Sequence, residues 1–252
     1  MVTLNAVSDI LHTSGTVSAA GSGAIDVNAS VGTADGVVTM SAGTAISSAS
    51  GAITIDAGST ATLDDITSTS GSITVTSGDV VLNDAVSSGG GALVLKPTDA
   101  TSAIGIGGGT GSFNIGDADI ANVQDGFSSI TIGDTTSGTG AVDIDSSTFV
   151  DALTIAGGSI VVTELNASDT TDNGDGTGLQ VVNLMARTGS ITDGGNAGTD
   201  ITGGDLVATS TTGVGTSSDA VETAVARIEA TGGTGGVFVS NTGNLTVGGI
   251  GG

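Results

Sequence analysis

The chain has 252 residues and a formal charge of -23, because 26 Asp and Glu stand against 3 Lys and Arg. So acidic a chain repels nucleic-acid phosphates and anionic lipid headgroups, which excludes nucleic-acid binding and binding at membrane surfaces. Cys is absent, so disulfides, thiolate nucleophiles and Cys-bound zinc are excluded as well. No apolar run approaches the roughly 20 residues that span a bilayer, so we expect no membrane insertion in this segment.

The aliphatic residues indicate a folded β-protein despite the 45 glycines and the high charge, which are typical of disordered chains. Ile, Val, Leu and Phe make up 62 of the 252 residues, above the roughly 20% that marks disorder. Ile and Val together outnumber Leu by 46 to 12. β-branched side chains suit a pleated surface, so the composition favours strands.

A short phrase of glycine or serine followed by alternating hydrophobic and polar residues recurs along the chain and predicts a strand at each copy. The first copies are residues 23–27, 36–40, 51–55, 71–75 and 91–95. Later copies are residues 129–132, 140–144, 152–155, 158–162, 178–184, 189–192, 236–239 and 243–247. The intervening residues 106–113 and 168–177 are predicted to loop out from the body.

The central copies recur with a period of about 20 residues, which is too short for paired helices and typical of one turn of a β-solenoid. Inward side chains should stack in two ladders, Ile53 on Ile73 on Leu93 and Ile55 on Val75 on Leu95. At the same offset Thr60 and Thr62 would meet Val80 and Leu82, which breaks up any threonine array. The sequence therefore predicts an all-β, parallel β-helix with coils of about 20 residues, continuous as one domain over residues 1–252.

Residues 219–230 are ambiguous. Asp219 and Glu222 have capping-box spacing, and Val221, Val225 and Ile228 lie three or four residues apart, as on a helix. The favoured interpretation is a further coil strand, because tertiary context readily overrides local propensity over so short a stretch.

Several phrases resemble the repeat regions of filamentous-haemagglutinin-type large bacterial exoproteins. They are Gly-Ser-Ile-Thr at 71–74 and 189–192, Gly-Phe-Ser-Ser-Ile-Thr-Ile-Gly at 126–133 with Gly-Ala-Val-Asp-Ile at 140–144, and Gly-Val-Phe-Val-Ser-Asn-Thr-Gly-Asn-Leu-Thr-Val at 236–247. The resemblance implies a right-handed parallel β-helix within an adhesin stalk, extracellular or at the bacterial cell surface. The sequence holds no signal peptide and stops in mid-pattern at residues 248–252, so we interpret the chain as a segment of a longer repetitive protein. The Asn-Pro-Asn-Gly motif of the family's secretion domain is absent, so the sequence does not predict a secretion route through a partner pore.

The expected function is that of a non-enzymatic rigid rod in adhesion or extracellular matrix. Its expected partners are the adjacent coils of the same long chain, together with host-cell or matrix glycans or further copies of itself. No catalytic residue and no organic cofactor are expected.

One alternative is a carbohydrate-active β-helix enzyme of the lyase or hydrolase type, which would use a pair of carboxylates. The candidate pairs are Asp64 with Asp65, Asp117 with Asp119, and Asp143 with Asp145. The single histidine, His12, has no nucleophile elbow near it in the sequence and is expected to be structural or exposed. The three basic residues are scattered and Trp and Tyr are absent, which favours solvated surface carboxylates over a sugar-binding site.

A second alternative is a calcium-dependent, self-assembling matrix protein, because an acidic surface attracts hard cations that prefer oxygen ligands. The candidate ligands are Asp169, Asp172, Asn173 and Asp175. Their loop fits the third, fifth and sixth positions of an EF-hand loop, but Thr171 replaces the first Asp and Val182 replaces the closing Glu. Calcium is the one cofactor that the sequence leaves open.

Overall fold

A computed structural model describes residues 1–30, 35–167, 180–195 and 197–250, and nearly all of their regular secondary structure is strand. The first elements are β1 (Val2–Asn5), β2 (Ile10–His12), β3 (Thr16–Ala19), β4 (Ile25–Asn28), β5 (Val38–Met40), β6 (Ala45–Ser48), β7 (Ile53–Asp56), β8 (Thr60–Leu63), β9 (Asp65–Ser68), β10 (Ile73–Ser77), β11 (Asp79–Leu82), β12 (Val86–Ser88) and β13 (Ala92–Pro97). Next come β14 (Ile104–Ile106), β15 (Phe113–Ile115), α1 (Asp117–Asn122), β16 (Ser129–Gly133), β17 (Val142–Phe149), β18 (Leu153–Gly157), β19 (Ile160–Ala167) and β20 (Val181–Ala186). The last are β21 (Ile191–Asp193), β22 (Ile201–Thr202), β23 (Asp205–Ser210), β24 (Val221–Ala224), β25 (Arg227–Gly232), a 3-10 turn (Gly233–Gly235), β26 (Val239–Asn241) and β27 (Thr246–Val247).

The strands pair in parallel from coil to coil, so the chain is an all-β parallel β-helix and the predicted fold class is confirmed. The residues form two compact units. The first unit comprises Met1–Asp99 and Ser112–Thr131, and the second comprises Ala100–Gly111 and Ile132–Gly252. Whether these units form the single continuous domain expected from the sequence stays a prediction.

The first unit has three faces, because each coil contributes three short strands. One face is β1, β4, β7, β10 and β13 in order; the second is β2, β5, β8 and β11; the third is β3, β6, β9 and β12. Each strand therefore pairs with the strand three places later in the sequence. Every coil satisfies the backbone hydrogen bonds of its neighbours, as stacked repeats require.

The aliphatic ladders of the first face form its core and match the sequence prediction. Ile73 pairs with Ile53 on one side and Leu93 on the other, and all three are 0% exposed. Thr54 and Thr74, between the inward positions, are half-buried on the outer surface. Burying each such aliphatic side chain contributes about 1.5–3 kcal/mol, so the ladders are the main source of cohesion between coils.

The second face is paired one residue away from the predicted register. Thr60 lies opposite Asp79 instead of Val80, and Thr62 lies opposite Val81 instead of Leu82. The third face returns to the predicted register, since β9 and β12 pair Ile66 with Val86. The stretch from Thr76 to Asp79 is therefore one residue shorter than the equivalent stretch from Asp56 to Thr60. The stretch from Leu82 to Val86 is one residue longer than that from Leu63 to Ile66, which restores the register. The predicted partners of Thr60 and Thr62 were wrong, although Asp and Val interrupt a threonine array equally well.

A serine followed three residues later by glycine forms a recurring buried corner. The Oγ of Ser68 accepts the Gly71 N–H at 2.7 Å, and the Oγ of Ser88 accepts the Gly91 N–H at 3.0 Å. The Ser88 hydroxyl also donates to the Gly71 carbonyl at 3.0 Å. A Cβ on Gly71 would lie 2.1 Å from the Gly51 carbonyl oxygen, so the corner requires glycine because adjacent coils approach so closely.

The second unit has two sheets, and its coils vary in length. One sheet is β18, β20, β23, β25 and β27; the other is β14, β17, β19, β22, β24 and β26, and β21 also pairs with β19. Leu153 pairs with Val182, whereas Leu206 pairs with Ile228, so the length of chain between stacked residues differs from one coil to another. The number of residues per coil is therefore not constant in this unit.

The ambiguous segment 219–230 is extended. It contains β24 and the start of β25, and both Val221 and Ile228 are buried in ladders. The coil-strand interpretation is therefore confirmed and the helical alternative is wrong. The ladder supplies a backbone partner for each extended residue, and this outweighs the local capping signal.

The sequence predicted two excursions, and no helix in the neighbourhood of residues 106–122. The predicted excursion 106–113 corresponds to a turn between β14 and β15 in which Gly107 has φ +65, and α1 was not predicted. The predicted excursion 168–177 lies outside the described residues. Among the residues that the structure describes, no helix is long and apolar enough to cross a membrane.

Candidate functional site

The first candidate carboxylate pair stabilises a corner of the first unit. Asp64 is buried, and its Oδ2 accepts the N–H groups of Gly43 at 2.7 Å and Thr44 at 3.0 Å, both in the preceding coil. Asp65 accepts the hydroxyl of Thr67 at 2.7 Å. The two bonds of Asp64 tie one coil to the next and give this residue a structural role, whereas the Asp65 bond lies within β9.

In the second pair, Asp117 with Asp119, one member fastens the short helix α1 to the end of β11. Asp119 accepts the Leu82 N–H at 2.7 Å and the Gly116 N–H at 2.9 Å, whereas Asp117 is exposed. Burial raises the pKa of Asp119 above its ordinary 3.8, against the opposing effect of these two donors, and the negative charge of Asp79 adds to the rise. Asp119 is therefore the half-buried residue that anchors the helix.

The third pair lies on β17, where the two members have different surroundings. Asp143 accepts both the N–H and the hydroxyl of Thr110 at 2.8 Å, and so holds the turn after β14. Asp145 is exposed. One member of each predicted pair is thus engaged in holding a turn, a corner or a helix in place.

His12 lies on β2 opposite Met40, on the inward side of the first coil. Its ring borders an open depression whose other lining residues include Leu4, Ile10 and Val17. The Nδ1 atom is buried and has no hydrogen-bond partner among the described residues. The surroundings of His12 are mainly aliphatic, which matches the structural role expected for it.

The predicted calcium ligands Asp169, Asp172, Asn173 and Asp175 lie outside the described residues. That candidate stays a prediction.

The structure brings together three other carboxylates, which the sequence analysis did not identify. Asp193 ends β21, Asp200 immediately precedes β22, and Glu222 belongs to β24 on the next coil. One carboxylate oxygen from each residue lies within 4.8 Å of the other two. We call these three residues the acidic cluster.

A break in one ladder positions the first two members of the acidic cluster. The chain pairs with β19 as far as Asp193, opposite Val162, and resumes pairing at Ile201, opposite Leu165. Between these points it leaves the ladder and returns through Asp200. Asp193 and Asp200 therefore flank the base of this excursion.

Parallel pairing between β22 and β24 brings in the third member. The Asp200 N–H donates to the Glu222 carbonyl at 2.9 Å, and the Glu222 N–H donates to Oδ2 of Asp200 at 2.8 Å. This reciprocal contact holds the two side chains beside each other on adjacent coils. Oδ1 of Asp193, by contrast, accepts the Gly195 N–H of its own excursion at 2.8 Å.

The acidic cluster concentrates negative charge at a buried position. Asp200 is 0% exposed, and neither its Oδ1 nor Oε2 of Glu222 has a hydrogen-bond partner within the described part of the chain. Burial raises the pKa of Asp200 to about 7, and the negative charges of Asp193 and Glu222 act in the same direction.

The arginines are engaged elsewhere. The Arg187 guanidinium donates to the carbonyls of Thr135 and Thr136. Arg227 forms an ion pair with Asp205. The described ion pairs include none with the acidic cluster, so the protein's own cations leave its charge uncompensated.

The sequence holds one signal that could have revealed the acidic cluster. The separation between Asp200 and Glu222 along the chain is 22, the same as that between the paired residues Leu206 and Ile228. Residues one coil apart become neighbours, so a coil of this length would have placed the two carboxylates together. The length of this coil becomes apparent only from the ladder register.

The chain matches no family model, no curated protein and no solved structure.

Proposed function

We propose that this chain is a non-enzymatic structural segment of a secreted or cell-surface bacterial exoprotein of the filamentous-haemagglutinin type. It would act as a rigid rod in adhesion or in an extracellular matrix. The observation that carries the proposal is the in-register stacking of coils, in which each coil supplies both the hydrogen-bond partners and the aliphatic contacts of the next.

The first coil illustrates how strongly coils depend on their neighbours. Val2 pairs with Ile25 and Leu4 pairs with Val27. Only Ile25 and Val27 are buried, because the described residues cover the first coil from one side alone. Side chains in such repeats are buried by stacking, so cohesion spreads along the stack from coil to coil. Stiffness follows because bending or extending the stack breaks many hydrogen bonds together.

The candidate catalytic carboxylates also favour a structural function. Asp64, Asp119 and Asp143 each accept backbone N–H groups at corners, turns or helix ends. The remaining acidic side chains contribute to a charge of -23 that would keep long assemblies soluble and mutually repelling. Matrix glycans, host-cell glycans and further copies of the chain are the partners proposed for such a surface.

The experiment that tests the proposal lengthens the stack by whole coils. Because residue 73 occupies the position of residue 53 one coil later, copies of residues 53–72 inserted before Ile73 should each add one coil. Ten copies should increase the longest dimension in X-ray scattering by about 48 Å, at the spacing of neighbouring strands.

The matched control carries the same insert with Asp at every position equivalent to Ile53 and Ile55, which removes the core ladders but keeps the length. We expect no ordered lengthening from it. A longest dimension that grows only as the cube root of mass would refute the rod. Cleavage of an acidic polysaccharide that is lost in Asp143→Asn would establish the carbohydrate-active alternative instead.

A further inference from the structure

We propose that Asp193, Asp200 and Glu222 bind one Ca²⁺ ion at the base of the excursion that joins β21 to β22. The ion would link two points of one coil to a third point on the next coil. This site is distinct from the loop of Asp169, Asp172, Asn173 and Asp175 that the sequence suggests.

The distances within the acidic cluster suit a single ion. One oxygen from each carboxylate lies within 4.8 Å of the others. Oxygens bound to the same Ca²⁺ at about 2.3–2.6 Å can be up to about 5 Å apart. A single ion can therefore contact all three side chains.

The unpaired oxygen atoms give an independent reason to expect a ligand. Asp200 is 0% exposed, and its Oδ1 has no hydrogen-bond partner among the residues described, although its Oδ2 is satisfied by the Glu222 N–H. Oε2 of Glu222 is likewise buried and unpaired there. A buried charged oxygen without a partner is costly, and a cation between the two residues would satisfy both.

Among the described residues, no ion pair with a basic side chain compensates the negative charge of the acidic cluster, which leaves that role to an external cation. Its basic side chains are Lys96, Arg187 and Arg227, plus the single histidine, His12. Arg187 is held by backbone carbonyls and Arg227 by Asp205. A divalent cation would neutralise most of the charge of three adjacent carboxylates.

The donor atoms favour Ca²⁺ over other common metal ions. All three ligands are carboxylate oxygens, whereas Zn²⁺ and Cu²⁺ are usually bound through nitrogen or sulfur. Mg²⁺ requires a tight octahedron at about 2.0–2.1 Å and loses its waters reluctantly, while Ca²⁺ accepts six to eight oxygens in flexible geometry. Water would supply the remaining oxygens around Ca²⁺.

Calorimetric titration of the chelator-treated full chain with CaCl₂ in physiological salt tests the proposal. Physiological salt suppresses diffuse binding to the acidic surface, and calorimetry needs no Trp or Tyr, which the chain lacks. We expect one saturable ion per chain, bound more tightly than Mg²⁺. Asp200→Asn and Glu222→Gln should each weaken this binding by at least about tenfold, as expected when one charged ligand is lost.

Two variants serve as matched controls, because each also removes a single negative charge. Asp117→Asn changes an exposed carboxylate, and Asp172→Asn changes the alternative calcium loop. Both should keep the saturable ion. The proposal is overturned if all four variants bind Ca²⁺ like the unmodified chain, if Asp172→Asn alone abolishes binding, or if the unmodified chain binds no saturable ion.

Thermal unfolding separates loss of binding from loss of folding. Asn at position 200 can still accept the Glu222 N–H while removing a buried negative charge, so without Ca²⁺ the Asp200→Asn variant should unfold no earlier than the unmodified chain. Added CaCl₂ should raise the midpoint of the unmodified chain and leave that of the variant unchanged. An equal rise in both would count against the site.

Discussion

Replacing Gly71 with Ala introduces a methyl group into the contact between two coils. The new Cβ would lie 2.1 Å from the Gly51 carbonyl oxygen and 2.9 Å from Oγ of Ser68, whereas ordinary contacts begin at 3.4 Å. The backbones must therefore separate locally by about 1.3 Å, the difference between 3.4 and 2.1 Å. Overpacking of this kind costs about 1–3 kcal/mol, and we expect the upper end because the obstacle is backbone that cannot rotate away.

A loss of about 3 kcal/mol corresponds to a fall of roughly 6–12 °C in the midpoint of a chain this long. Far-ultraviolet circular dichroism during heating and during urea titration measures both quantities. Hydrogen exchange should localise the weakening to the coils on either side of Gly71. Neighbouring coils share the ladders, so protection should recover with distance along the stack.

The chain supplies a matched control at the equivalent corner of the second unit. Ser210 and Gly213 repeat the serine-to-glycine bond at 2.8 Å. A Cβ on Gly213 would meet its nearest atom, the Cα of Gly235, at 3.4 Å. Gly213→Ala should therefore be neutral, or stabilising by about 0.4–1 kcal/mol through the unfolded chain. Equal destabilisation by both substitutions would refute the argument from coil spacing.

Three further substitutions test a serine corner, the ion pair and the half-buried anchor of helix α1. Ser88→Ala leaves the Gly91 N–H and a neighbouring carbonyl unsatisfied in a buried corner, so it should cost about 1–3 kcal/mol in urea unfolding; an unchanged midpoint would contradict this. Arg227→Gln breaks the ion pair with Asp205, but the arginine side chain is 45% exposed. The loss of stability should therefore be small, and it should shrink further in high salt. A large loss that does not depend on salt would show that Arg227 has another role. The pKa of Asp119 is raised on folding, so the folded chain holds that proton more tightly than the unfolded chain. Its stabilising contribution, measured against Asp119→Asn, should be complete below pH 3.8 and decline as the pH rises through the raised pKa; a contribution that grows with pH would reverse the assignment.

The ladders from β7 to β13 could be predicted because they depend on local alternation and on a period that is constant over these strands. Ile53 and Ile55 are separated by one polar residue, and Ile73 follows Ile53 by a full coil, so face and register followed together. The second face departed from this prediction at Thr60, which lies opposite Asp79 because the corner before β11 is one residue shorter than the corner before β8. A constant period in one face does not determine corner lengths in the others.

Helix α1 and the segment 219–230 show the limits of local signals in both directions. Asp219 and Glu222 have the spacing of a helix cap, yet Val221 pairs in a ladder with Val239. Residues 117–122 carry no strong helical pattern, yet Asp119 fastens them as a helix to the N–H of Leu82. In each case partners distant in sequence determined the local conformation.

The sequence by itself determined the all-β parallel β-helix, since β-branched alternation and a short central repeat leave few other ways to bury the aliphatic residues. It also determined the acidic surface and the scarcity of basic groups. Only the tertiary structure decided which carboxylates meet. Asp193 and Asp200 come together because they flank an excursion that breaks one ladder. Glu222 joins them because the following coil places it beside Asp200, 22 residues later. Contacts of this kind depend on summed loop lengths, which carry no periodic signal along the chain.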